Sequence, residues 1–277
     1  MPRWDDLRTR SLAAGLLVPV ALGCIWAGGP WWAGLVALCV AGLAWEWVRL
    51  CGGSVTAWPG FLLPLTVLAA TAAAVAGLPL LGLLVVMLGA ALSGRAAGQV
   101  AGPMPPRWFA LGAAAIGLGG VALVWLRTDP LAGAANVLFL FLVVWASDIG
   151  AYMTGRALGG PRLWPAVSPN KTWAGALGGL AAAMAIGFLA AVSLSLGQVA
   201  WAALPVAGVL GMAAQGGDLL ESWLKRRFGV KDSSGLIPGH GGLLDRLDGV
   251  LAAAPLAALL SAALGAGVPL WNVTWWR

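Results

Sequence analysis

The chain has 277 residues, 60% of them apolar and 9% charged, with 17 Trp, 41 Gly and a mean hydropathy of +0.89. An average soluble domain is about 25% charged, so a water-soluble globular enzyme is excluded, and so is a disordered chain, whose composition runs the other way. Three cysteines and glycines without a strict period exclude the disulfide-rich and fibrous classes, which leaves a polytopic membrane protein.

Arg3, Arg8 and Arg10 precede the first apolar run, a pattern shared by signal peptides and first spans; without a good cleavage context it reads as a span. Ala21-Leu-Gly-Cys24 resembles a lipoprotein cleavage site only faintly, because more membrane sequence follows it. The charge-free stretches run 11–45, 50–94, 108–126, 130–147, 172–217 and 249–276. A bilayer-crossing helix needs about 20 apolar residues, so the long stretches divide at Gly28-Gly29-Pro30, Gly77-Leu78-Pro79 and Gly197-Gln198. The expected fold is an all-α helical bundle of nine spans: 11–28, 30–48, 57–77, 79–93, 109–126, 132–153, 173–195, 200–220 and 249–268. Of these, 79–93 is expected to be short. The chain is expected to form a single membrane domain, with N-terminal spans in 1–130 and the chemistry-bearing spans in 131–277.

With a cytoplasmic N-terminus, nine spans put fourteen of the sixteen Lys and Arg residues inside, leaving only Arg127 and Arg277 outside. That is the positive-inside bias. Making 57–93 one span would invert ten of those charges. Trp31, Trp32, Trp58, Trp108, Trp125, Trp201 and Trp223 fall near span ends, as an aromatic belt requires. The net charge of +6 is therefore a topology signal, and no nucleic-acid partner is expected. Cys24, Cys39 and Cys51 read as lipid-buried or interfacial thiols. Glu46, inside span two, is expected to pair with Arg49 three residues on, and Asp5 and Asp6 read as surface.

The charge is concentrated. Residues 218–248 hold ten of the 26 charged residues, five acidic and five basic. Topology does not require acidic groups at span ends, and ionisable groups at membrane depth are functional by default. Asp245 and Asp248 are spaced i,i+3, so a helix projects both from one face; Asp218 and Glu221 repeat the spacing. A few hard oxygen ligands without a Cys or His cluster suit Mg²⁺ and not Zn²⁺. Lys225, Arg226, Arg227 and Lys231 follow, then Pro238-Gly-His-Gly-Gly242, where glycines let backbone N–H groups approach phosphate oxygens. Metal ligands, cations and a glycine loop are the equipment of phosphoryl or nucleotidyl transfer.

A second polar island spans 145–173. Asp148 lies late in span six and either pairs with a cation or adds a metal ligand. Ser168-Pro-Asn-Lys-Thr172 looks like the end of a P-loop, but no GxxxxGK[ST] string precedes it. Lys171 is expected to contact phosphate or to anchor at the interface. His240 is the only histidine, so a multi-His metal site is excluded. It either serves a phosphate oxygen or a proton transfer, or hydrogen-bonds within the glycine turn.

Ser222-x-x-Lys225-Arg226, Lys231-Asp232 and Pro238-Gly-His240-Gly241-Gly242-x-x-Asp245-Arg246-x-Asp248 closely resemble the signature of phosphatidate cytidylyltransferases, the CDP-diacylglycerol synthases. Asp148, Ala151-Tyr152, Gly155-Arg156, Gly159 and Ser168-Pro169-x-Lys171-Thr172-Trp173 also match that family's pattern. The match is detailed over roughly 145–250, while the first five spans resemble the family only in being apolar. One departure is Ala174, where many members carry an acidic residue after Lys-Thr-Trp.

The resemblance implies transfer of the cytidylyl group of CTP to phosphatidic acid with Mg²⁺, releasing pyrophosphate, at the cytoplasmic face of the bacterial inner membrane. Asp218, Asp245 and Asp248, with Asp148, are then expected to hold the metal. Lys225, Arg226, Lys231 and Arg246 are expected to clamp CTP phosphates and the lipid head group. Ser168, Lys171, Ser222, Asp232, His240, Gly241 and Gly242 complete the expected substrate contacts. Membrane lipids surround the spans; monomer and homodimer both stay open. The alternatives are another phospholipid head-group transferase and a transporter. The Asp-Gly-x-x-Ala-Arg string of CDP-alcohol phosphatidyltransferases is absent, and no internal repeat of the transporter kind is visible.

Overall fold

The computed structural model describes residues 4–100, 105–195, 200–237 and 241–272, with side chains in the first helix described from residue 15 onward. Among these, nine α-helices follow in order: α1 (Trp4–Ala27), α2 (Gly29–Leu50), α3 (Leu62–Val75), α4 (Pro79–Gly98), α5 (Pro106–Thr128), α6 (Gly133–Leu158), α7 (Trp173–Leu194), α8 (Ala203–Arg227) and α9 (Leu244–Leu264). Between α6 and α7 lies an antiparallel hairpin of β1 (Arg162–Trp164) and β2 (Ser168–Thr172), in register Arg162 to Thr172 and Trp164 to Ser168. The all-α membrane expectation holds. Seven of the helices are long and apolar enough to cross a membrane.

Several boundaries differ from expectation. The short member of the second pair is α3, with 14 residues, and not α4, which runs 20. At about 1.5 Å per residue, α3 reaches only about two thirds of a 30 Å hydrocarbon core. The residues ahead of it form turns that include the cis Trp58-Pro59 bond. At the other end of the chain, α8 continues to Arg227 and α9 begins at Leu244, so the charges at 218–227 and 245–248 are helical.

The chain forms two compact units. The first is Met1–Trp125 with Phe228–Leu247, the second Leu126–Arg227 with Asp248–Arg277. In the first unit, helices are tied by indole donors to backbone carbonyls: Trp32 Nε1 to Leu123 O at 3.0 Å and Trp47 Nε1 to Trp108 O at 2.9 Å. Without water, a buried N–H needs such a partner. Cys51 lies beyond the end of α2, and burial pushes its thiol up to about 12, which keeps it unreactive.

The second unit is held by small residues. Along α7, Gly175, Gly179, Ala183, Gly187 and Ala191 recur every four residues and are all buried. This stripe lets backbones approach, as small-xxx-small seams do in membranes. α6 answers with Gly150, where a Cβ would stand 2.4 Å from Ala182 Cβ, and α8 with Gly211, 2.8 Å from Ala183 Cβ. Gln215 spans the three helices, donating to Ser147 Oγ and Ala176 O at 3.1 Å each. Away from this seam, the Asp129 carboxylate accepts from the N–H groups of Leu131, Ala132 and Gly267. Desolvation raises its pKa, but these hydrogen bonds outweigh it and hold the group below the usual carboxylate range.

Candidate active site

In the second unit, α8 carries Asp218, Glu221 and Lys225 at i, i+3 and i+7, which is one face of a helix. α9 brings Asp248 against that face. The approach depends on Gly217, where a Cβ would stand 2.6 Å from the Asp248 carbonyl oxygen and 2.7 Å from Ala252 Cβ. Asp218, Glu221 and Asp248 consequently present one carboxylate oxygen each, all within 4.8 Å of one another. Asp248 also lies within electrostatic reach of Asp148, on α6, and of Lys171, at the end of β2.

Crowded carboxylates need cations. Lys171 Nζ stands 2.6 Å from Asp218 Oδ2, and Lys225 Nζ 2.7 Å from Glu221 Oε2. Lys171 is presented by the hairpin because Thr172, the next residue, caps α7 by accepting from Gly175 N at 3.0 Å. The Ser168–Thr172 string is thus a strand and a helix cap, and no P-loop. The donor set fits a hard divalent cation: oxygens only, three at once, half-buried or buried. Oxygens on one Mg²⁺ at about 2.1 Å lie within about 4.2 Å of each other, so the observed spread needs only small side-chain rotations.

A cavity of about 300 Å³ opens beside α8, lined by Trp164, Ala166, Val167, Trp223, Arg226 and Arg227. Arg226 Nε reaches the Val167 carbonyl at 3.5 Å, which holds the guanidinium toward the hairpin. Two indoles and two guanidiniums offer ring faces and phosphate-binding forks together.

Lys231, Asp232, Gly241, Gly242, Asp245 and Arg246 lie in the first unit, and there the expected Glu46–Arg49 pair does not form. Arg49 lies over the Trp45 ring at 4.8 Å. Glu46, wholly buried, accepts from the hydroxyls of Ser233 and Ser234 and from Leu243 N and Leu244 N, the last two at 2.7 Å. The local i,i+3 spacing misled because its real partners are nearly two hundred residues away. Asp245 accepts from Ser233 N, Ser233 Oγ and Gly242 N.

Of the expected metal ligands, then, Asp218 and Asp248 come together with Asp148 in reach. Asp245 lies outside the group of three carboxylates, its oxygens engaged by Ser233 and Gly242. Glu221 joins the group; its signal was the i,i+3 spacing with Asp218. Lys225 and Arg226 face Glu221 and the cavity respectively. Lys231, Asp232 and Arg246 are exposed, Gly242 is buried, and Ser168, Ser222 and Gly241 are half-buried. Pro238, Gly239 and His240 fall outside the described residues. The hairpin and the Trp164–Trp223 cavity had no sequence reading, since strands of three and five residues broken by Pro carry little pattern.

The sequence pattern of the cytidylyltransferase family matches residues 8–264. The chain belongs to that family. It is 41% identical over 269 residues to a phosphatidate cytidylyltransferase of Brucella suis, covering 93% of this chain and 94% of the relative. The Brucella abortus phosphatidate cytidylyltransferase matches to the same extent. A Staphylococcus saprophyticus protein of the same name is 42% identical over 141 residues, 51% of this chain and 54% of the relative. The chain is a nucleotidyltransferase of the multi-pass membrane kind, which sets the transporter reading aside.

Proposed function

We propose that the chain transfers the cytidylyl group of CTP to phosphatidate, giving CDP-diacylglycerol and pyrophosphate. The observation that carries this reading is the Asp218–Glu221–Asp248 cluster, flanked by Lys171 and Lys225, in a chain of this family. An anionic phosphate oxygen of the lipid attacks the α-phosphorus of CTP, and the bond from that phosphorus to the β-phosphate bridging oxygen breaks. The nucleophile is already charged, so no Ser, Cys or His needs activation. Catalysis is then positioning plus charge stabilisation.

Asp218, Asp248 and Glu221, with Asp148, are the residues to hold Mg²⁺, which when bound would offset the charge of the substrate phosphates. Both substrates are polyanions, a phosphomonoester alone carrying roughly −1.5 to −2. Lys171 and Lys225 balance the carboxylates and lie ready to bind phosphate oxygens. Arg226 and Arg227 bind phosphate beside Trp164 and Trp223, whose ring faces suit a nucleobase. Lys231, Arg246, Ser168, Ser222, Asp232, Gly241, Gly242 and His240 are assigned to substrate contacts on their chemistry. The positive-inside bias supports the cytoplasmic side for this chemistry, and the bacterial relatives support an inner membrane, where phosphatidate acyl chains would stay in the bilayer.

Purified protein in mixed micelles, given radiolabelled CTP, phosphatidate and Mg²⁺, should move label into an organic-extractable lipid. Label that stays water-soluble with folded protein overturns the reading; label moving to an alcohol acceptor instead would mark a different head-group transferase.

A further inference from the structure

Glu46 sits at 0% exposure in the apolar helix α2, outside every signature residue. A carboxylate in such a place needs partners, and it has four donors on two oxygens. Ser234 Oγ and Leu243 N serve Oε1; Ser233 Oγ at 3.3 Å and Leu244 N serve Oε2. The two N–H groups belong to the start of α9, where no intrahelical acceptor exists and the helix dipole favours negative charge. The two hydroxyls belong to the loop that follows Lys231-Asp232.

The seat around this carboxylate is shaped for it. At Gly42, one turn earlier on α2, a Cβ would stand 2.9 Å from Leu243 Cδ2. At Gly242 a Cβ would stand 1.8 Å from Ser233 Oγ and 2.8 Å from Glu46 Oε1. Both glycines let the loop backbone close on Glu46. Ser233 then relays the contact: its one hydroxyl proton is shared between Glu46 Oε2 and Asp245 Oδ2, its N–H donates to Asp245 Oδ2 at 3.2 Å, and Gly242 N donates to the same oxygen at 2.9 Å.

We propose that Glu46 is a positioning residue of the transfer reaction: it ties the 233–234 loop to the first turn of α9 and so fixes the backbone that presents Asp245 and Arg246. The inference rests on the cytidylyl-transfer reading. The two backbone N–H groups can only donate, and each serves a different oxygen, so both oxygens at 46 must accept. Gln keeps the shape but turns an NH₂ toward N–H donors, whereas Asp keeps the acceptor and loses a methylene.

The test compares Glu46→Gln, Glu46→Asp and the double variant S233A/S234A with wild type in mixed micelles. Folded fraction is followed by thermal melting in detergent. Per folded enzyme, Glu46→Gln should lower kcat roughly 30-fold with KM for CTP changed less than about threefold, and Glu46→Asp should keep more activity than Glu46→Gln. S233A/S234A, which removes only hydroxyls, should lower kcat about fivefold, and adding Glu46→Gln to it should cost less than the two effects multiplied. A space-filling role predicts the opposite order, Gln above Asp. That order, or Glu46→Gln and S233A/S234A both within twofold of wild-type kcat, overturns the inference. If Glu46→Gln does not fold, the S233A/S234A result alone decides it. Failure of wild type to label lipid would instead strike the parent reading.

Discussion

Two acidic sites in this chain differ in how their charge is met. Glu46 in the first unit is wholly buried and held by backbone N–H groups and serine hydroxyls. Asp218, Glu221 and Asp248 in the second unit crowd one another, and the partners of Asp218 and Glu221 include lysine ammonium groups on flexible stems. Fixed donors make a carboxylate part of the scaffold. Crowded carboxylates with exchangeable cations make a ligand set, because a divalent ion and substrate phosphates can take over both sides of each pair. Depth in an apolar chain therefore does not by itself mark chemistry; the kind of partner does.

The sharpest way to break this contrast is to neutralise a member of the cluster. Asp248→Asn and Glu221→Gln should each lower turnover about a hundredfold or more at saturating substrates, the scale of losing a charge-stabilising group. Neither should lower the melting temperature as much as Glu46→Gln does. Equal loss of stability at both sites would erase the distinction. A smaller effect is expected from Gly217→Ala, whose Cβ would meet the Asp248 carbonyl oxygen at 2.6 Å. Forcing α8 from α9 should cost about 1–3 kcal/mol of stability and about tenfold in turnover, since misplacement alone can cost that much.

Lys171→Met removes the partner of Asp218. It should lower turnover several-fold and change the Mg²⁺ concentration needed for half activity, read from activation curves, while Arg162→Met in the same hairpin leaves that concentration unchanged. The smallest effect belongs to Asp129, far in role from either site. Its folded-state pKa is lowered, so the stability it contributes is complete above the ordinary carboxylate value of about 3.9 and is lost as pH falls through the lowered folded value. Asp129→Asn should flatten that part of the acid melting profile and leave turnover at pH 7 unchanged.

Much of this was legible in the sequence. Charge-free runs, Gly-Pro breaks and the side bias of Lys and Arg predicted nine spans; nine helices are present among the described residues, seven of them long and apolar enough to cross a membrane. The pairing of Asp218 with Asp248 was readable from charge density at two helix ends. What escaped was non-local. Glu46 finds partners at 233–244 through folding alone, while its neighbour Arg49 offered a false local one. Asp245 and Asp248 share a helical face by spacing, yet Asp245 is engaged by Ser233 and Gly242, which spacing cannot foretell. Glu221 lacked a motif of its own. The small-residue stripe of α7 was present in the sequence at a period of four and becomes meaningful once α6 and α8 supply the backbones it admits.

The central claim is that the α8–α9 carboxylates run a Mg²⁺-dependent cytidylyl transfer. Pyrophosphate release from CTP, followed with phosphatidate in mixed micelles across a Mg²⁺ titration, tests it on wild type and Asp218→Asn side by side. Release should need both lipid and Mg²⁺ in the wild type and be lost almost completely in a folded Asp218→Asn protein. Full Mg²⁺-dependent release by folded Asp218→Asn would contradict that claim.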